Sequence, residues 1–207
     1  KAVFCLKPIW ILYMLKVEDA MGSNDYIYAP KLGEWGIRAK VNTDLDMSFI
    51  TIQKVASSSM SQCLRMAGWG EEWCDDYVPQ SRNFVLIRNP IDRWVSGMTH
   101  HCFYNVGPTP KTKQKLLDSI VEGGLSIYLW PQSWHIENVP DLEIIKMDSN
   151  WVANVKSLLG VNYIPYNNQI SGDKLVTETL FSEYSLDTDV VAKLRTVYAD
   201  DFALFET

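Results

Sequence analysis

Two short segments hold residues whose types and spacing could do chemistry. The first is Lys54-Val55-Ala56-Ser57-Ser58-Ser59, small and hydroxylated side chains behind one lysine. If such a loop leaves a strand and enters a helix, its free N–H groups sit at the positive end of the helix dipole, which suits a phosphate-like anion. Small side chains let the backbone approach the ligand, and Lys54 adds a mobile charge. The second segment is Arg88-Asn89-Pro90-Ile91-Asp92-Arg93-Trp94-Val95-Ser96. Arg88 offers a rigid fork for a phosphate, and Ser96, about two helical turns further on, adds a hydroxyl. The competing readings are a serine-rich helix cap for the first segment and, for the second, a surface ion pair of Arg88 or Arg93 with Asp92.

Groups able to move a proton form two further clusters, Glu71-Glu72-Trp73-Cys74-Asp75-Asp76 and His100-His101-Cys102. Carboxylates and imidazoles both serve as general bases near neutral pH. Three adjacent residues rarely converge on one ion, so no metal site is expected. Cys5, Cys63, Cys74 and Cys102 show no C-x-x-C spacing and read as buried free thiols. His135 reads as structural.

These residues need elements to position them. Met47–Gln53 is a short apolar run of strand type, and Met60, Cys63, Leu64 and Ala67 recur at helical spacing before Gly68 and Gly70. Phe84–Ile87 is a second buried strand, and Pro90 or Ile91 opens the next helix. Lys111–Val121 is helical in character, and Leu142–Met147 is a third strand. Helices follow at about Ser149–Leu159, stopped by Gly160, and from Asp187 to Tyr198 or beyond. Strands alternating with helices predict an α/β single domain with a mainly parallel central sheet flanked by helices. In such a sheet ligands bind at the carboxyl ends of the strands, where both segments would lie.

Taken together, the two segments resemble the superfamily of sulfotransferases that use 3′-phosphoadenosine 5′-phosphosulfate (PAPS), nearest to the carbohydrate enzymes of the heparan sulfate 2-O type. The first looks like the P-loop-like 5′-phosphosulfate loop of that family, and the second like its 3′-phosphate motif. Trp130-Pro131-Gln132 before the third strand, Gly160, Pro165 and Asn167-Asn168, and the terminal Tyr198-Ala199-Asp200-Asp201-Phe202-Ala203-Leu204-Phe205 extend the likeness. It covers roughly Met47 to Phe205, so residues 47–207 are expected to form the catalytic domain and residues 1–46 an N-terminal arm.

The resemblance implies an enzyme moving a sulfuryl group from PAPS to an acceptor hydroxyl, with 3′-phosphoadenosine 5′-phosphate (PAP) as product and no metal. It implies that Lys54 contacts the bridging oxygen of the donor. Ala56, Ser57, Ser58 and Ser59 would supply donors to the phosphosulfate, with Ser58 where the family has Thr. Arg88 and Ser96 would hold the 3′-phosphate. The histidine base of the 2-O enzymes has no counterpart, since no histidine lies between Lys54 and Arg88. Glu72, Asp75, His100 and His101 are the candidate bases in its place. A nucleotide kinase is the alternative enzyme, although the Walker A glycines are absent. A catalytically silent nucleotide-binding module is the alternative outside catalysis.

Charge narrows the partners. With 19 Lys and Arg against 25 Asp and Glu the chain carries −6, the wrong sign for a broad nucleic-acid surface. Lys111, Lys113 and Lys115 form the one basic run that could track a polyanion, with a solvated face as its default reading. A small-molecule or glycan acceptor, neutral or modestly charged, is therefore expected. Most of the 8 Trp and 10 Tyr read as core or interface, with Trp69, Trp73 and Trp130 as possible sugar-stacking exceptions. Ala2–Val17 is too short and broken to span a membrane. The expected location is cytoplasmic, or the Golgi lumen if an anchor precedes Lys1.

Overall fold

The computed structural model describes residues 39–69, 80–106, 112–120, 127–165 and 172–207. Glu72, Asp75, Trp73, Lys111, Cys5, Cys74 and Asn167-Asn168 lie outside the described residues. Four strands form one sheet in the order β1 (Ala39–Asn42), β2 (Met47–Ile50), β3 (Arg82–Ile87) and β4 (Leu142–Lys146). β1 runs antiparallel to β2, which pairs parallel with β3, as β3 does with β4. The sheet thus begins at Ala39, inside the stretch expected to be an arm. The β1–β2 hairpin is closed by the Asn42 Oδ1 atom, which accepts from the N–H groups of Asp44 and Leu45, both at 3.1 Å.

Seven α-helices accompany the sheet among the described residues. They are α1 (Ser57–Met66), α2 (Pro90–His101), α3 (Lys113–Ser119), α4 (Trp151–Leu159), α5 (Gly172–Tyr184), α6 (Thr188–Val197) and α7 (Ala199–Glu206). The protein is therefore an α/β single domain with a mostly parallel sheet, as the alternation of patterns predicts. β3 is buried from Asn83 to Ile87 with no alternation, the mark of a parallel strand covered on both faces. One core joins the sheet to α1 and α4. A second core is built by α2, α3, α5, α6 and α7.

Local signals explain the ends. Asn89 caps α2, its Oδ1 accepting from Ile91 N at 2.9 Å and Asp92 N at 3.3 Å, with Pro90 at the first helical position. Gly160 ends α4 at φ 64°. The helix expected from Lys111 is observed over Lys113–Ser119, and the last predicted helix breaks at Tyr198 into α6 and α7. The sequence patterns contain no sign of α5. Its outward positions Leu175 and Val176 are apolar and exposed, so the apolar residues show no single stripe.

Candidate functional site

Parallel pairing places the carboxyl ends of β2 and β3 on one edge of the sheet, and the two chemistry-bearing segments leave from there. The first, residues 51–56, is strained. Lys54 sits at φ 66° and Ala56 at φ 56°, left-handed backbone at two positions without glycine. Such conformations cost of order 1–3 kcal/mol each and persist where the surroundings over-determine them. Ala56 then precedes α1 without any side-chain cap, and the first helical bond runs from Met60 N to Ala56 O at 2.9 Å. The N–H groups of Ser57, Ser58 and Ser59 thus open α1 unspent, in the pattern that favours an anion. The serine-cap alternative does not hold, because no hydroxyl caps this helix.

Arg93 holds the strained loop in place. It is 2% exposed, and its Nε donates to Gln53 O at 3.0 Å while Nη1 donates to Trp130 O at 2.6 Å. Burial pushes its guanidinium pKa down, offset in part by Asp201. The surface ion pair with Asp92 is therefore corrected: Arg93 is an internal brace, and neither Arg88 nor Arg93 bonds Asp92 among the described residues. Arg88 directs Nη1 at Lys54 O, 3.5 Å away, so the two segments meet. The backbone of Arg88 is clamped by one side chain: Arg88 N donates to Gln132 Oε1 at 2.8 Å, and Gln132 Nε2 donates to Arg88 O at 2.9 Å. Gln132 and Ser133 in turn donate their N–H groups to Asp201 at 2.7 and 2.9 Å, and the Tyr198 hydroxyl donates to Leu129 O at 2.7 Å. Trp130-Pro131-Gln132 and the terminal Tyr198–Phe205 stretch thus lock the loops that carry Lys54 and Arg88.

Beyond Lys54 lies a cluster that the sequence patterns only half reveal. Lys54 Nζ sits 5.4 Å from the centre of the Tyr128 ring. The Tyr128 and His100 rings lie 4.2 Å apart, tilted by 53°, and the His100 and Tyr104 rings 4.6 Å apart, tilted by 44°. Lys174 of α5 reaches Tyr104 from the other end, 5.5 Å above its ring. A π-helical turn at Cys102–Val106 continues α2 and carries Tyr104. Burial, then the charges of Lys174, Arg88 and Arg93, lower the Lys54 pKa to about 8, with Glu178 acting the other way. Burial and the cations Lys54 and Lys174 lower His100 to about 4, so its imidazole is neutral at pH 7. Among the described residues no carboxylate forms an ion pair with Lys54, Arg88 or Lys174. Cations without an ion pair among the described residues thus gather beside the carboxyl ends of β2 and β3, a charge arrangement that favours a compact anion.

The serines face a different opening. A depression of about 540 Å³ beside α1 is lined by Thr51, Gln53, Ser57, Ser58, Ser61, Gln62 and Arg65. Thr51 Oγ1 is buried there without a partner. Lys54, Arg88 and His100 are not part of that lining, so the expected donor residues divide between two sides of the loop. Ser59 is half-buried within the first turn of α1. Ser96 is half-buried on α2, one turn before His100 on the same face.

Other expectations change. Trp69 is 3% exposed and packs edge-on to Phe84, and Trp130 is 7% exposed, so both are core residues rather than sugar platforms. Lys113 is paired with Asp187 at 2.9 Å and with Asp189, tying α3 to α6. It is not free to track a polyanion. His101 is buried, 6% exposed. His135 packs beside Trp130, and burial followed by the Arg93 charge lowers it to about 3, in keeping with a structural role. Cys63 and Cys102 are buried free thiols. Among the described residues no group of three His, Cys, Asp or Glu is placed to hold a metal ion, and no helix is long and apolar enough to cross a membrane. Tyr128, Lys174 and Glu178 were not singled out by motif. Only their spatial convergence marks them. Comparison of the chain with family models, with curated proteins and with solved structures finds no match.

Proposed function

We propose that the protein is a PAPS-dependent sulfotransferase acting on a carbohydrate hydroxyl. The observation that carries the reading is the meeting of the β2 and β3 ends, where Lys54 and Arg88, neither ion-paired among the described residues, converge beside the uncapped start of α1. In this reading the 54–59 loop is the phosphosulfate-binding loop. Ala56–Ser59 bind phosphosulfate oxygens through the backbone N–H groups that open α1, while the Ser57 and Ser58 side chains line the depression beside α1, and Arg88 with Ser96 holds the 3′-phosphate. Sulfuryl transfer is an in-line displacement close in physics to phosphoryl transfer, so positioning and charge neutralisation supply most of the catalysis. Lys54 stabilises the charge that grows on the bridging oxygen. The chain's own polar groups suffice for these roles, and no step requires a metal. With Lys113 engaged by α6, a small neutral or modestly charged acceptor fits better than a polyanionic polymer.

Calorimetric titration tests the donor side. PAP is expected to bind, and ATP to bind more weakly. Arg88→Ala should weaken PAP at least tenfold, about 1.4 kcal/mol. Absence of PAP binding, or preference for ATP, would refute the reading and favour a kinase-like site. PAP binding without transfer from labelled PAPS to any of a panel of glycans, tyrosine peptides, steroids and phenols would favour the silent module.

A further inference from the structure

We propose that Glu178 of α5 is the group that takes the proton from the acceptor hydroxyl. This rests on the sulfuryl-transfer reading. Lys174, Glu178 and Phe181 stand at positions i, i+4 and i+7 of α5 and share one face. Phe181 is fully buried and packs edge-on to Trp94 of α2 at 5.7 Å, which turns that face towards α2. Lys174 on the same face reaches the Tyr104–His100–Tyr128 group that Lys54 touches from its other end. Glu178, between Lys174 and Phe181 on that face, stands close enough to Lys54 for its charge to act on the lysine.

Its Oε2 atom is shut from solvent and accepts no hydrogen bond. A buried carboxylate oxygen without a donor is costly and calls for a missing partner. The O–H of a bound acceptor is such a donor. Among the described candidate bases, His101 is 6% exposed. A proton on His100 would add a third cation between Lys54 and Lys174, and those two charges already disfavour it. A proton on Glu178 creates no new positive charge. The step balances without an oxidant or a metal. The acceptor O–H proton moves to Glu178 as the acceptor oxygen bonds to sulfur. The bond from sulfur to the 5′-phosphate oxygen breaks, and its electron pair leaves with PAP.

The test compares wild type, Glu178→Gln and Glu178→Asp. Each is titrated with PAP and assayed for sulfuryl transfer from labelled PAPS to methyl glycosides and to water. Glu178→Gln is expected to lose about 10²-fold or more in turnover, with PAP affinity within about threefold of wild type. Glu178→Asp, which keeps a carboxylate, should recover part of the rate. Equal turnover in Glu178→Gln and wild type overturns the assignment alone. So does a parallel loss of PAP affinity and turnover in both variants, which marks a structural residue. A wild type that binds PAP yet transfers to neither acceptor overturns the transferase reading and the assignment with it.

Discussion

Lys54 combines three properties that belong together: strained backbone, partial burial and no carboxylate ion pair among the described residues. Burial and neighbouring cations lower its pKa to about 8, so a charged Lys54 is held at a cost that a bound anion would offset. The sign follows. Above pH 8 the free protein loses this charge, and the affinity for an anion that needs it should fall, by at most tenfold per pH unit. Calorimetric PAP titrations from pH 7 to 9.5 should show the decline in wild type, and Lys54→Ala should bind more weakly with that decline removed. A wild-type affinity that stays level across the range would mean that Lys54 is not at the anion. The positions of the lysine and the arginine after strands were legible from the apolar runs that precede them, although each segment taken alone also fitted a serine-rich cap or a surface ion pair. The strain was not, since no glycine advertises positive φ at Lys54 or Ala56.

At the scale of elements, the site depends on how closely α2 approaches the segment 127–132. A Cβ built on Gly97 would stand 2.6 Å from Tyr128 O and 2.8 Å from Leu129 Cδ2. Gly97→Ala should therefore push α2 away from the segment that holds Tyr128 against Lys54 and His100. The expected loss is about 1–3 kcal/mol, the usual cost of overpacking. Urea unfolding would measure it, and an unchanged midpoint would show that the contact relaxes freely. α2 itself was legible, from Asn89-Pro90 and the spacing of Trp94, Val95 and Met98. α5 was not, because Leu175 and Val176 carry apolar character on its exposed side.

For the whole molecule, the C-terminus is a clasp. Asp201, 1% exposed, accepts two backbone N–H groups of the segment whose Gln132 amide grips Arg88, and its charge supports buried Arg93. Asp201→Asn leaves a neutral acceptor in place of a charge-assisted one, and should cost about 2–3 kcal/mol of stability. PAP affinity should fall with it, although Asp201 touches no proposed ligand atom. Circular dichroism melts together with PAP titration would check both, and a loss of stability without loss of affinity would separate the clasp from the site. Acid gives a second global readout. His100 and His135 have folded pKa values lowered to about 4 and about 3, so the unfolded chain binds protons first as pH falls below 6.5. Stability should therefore decline from pH 6.5 towards 4, and His135→Phe should reduce that slope. An equal slope in the variant would show that His135 stays accessible to protons in the folded state.

The amino-acid order alone determined the α/β class, the strands Met47–Ile50, Arg82–Ile87 and Leu142–Lys146 in outline, and the placement of Lys54 and Arg88 at strand ends. Those features are local: apolar periodicity, a proline at a helix start and small residues at a loop are all encoded within a dozen positions. The tertiary structure alone decided that Arg93 faces inward, that Trp69 and Trp130 are core, that Lys113 is spent on α6, and that Lys174 and Glu178 join Lys54. Each of these depends on which side of an element meets another far along the chain. The identity of a charged or aromatic side chain does not specify that meeting, because the same residue is stable in water or beside a partner. Only the packing of α2 against α5, and of residues 127–132 over the sheet edge, selects between the two.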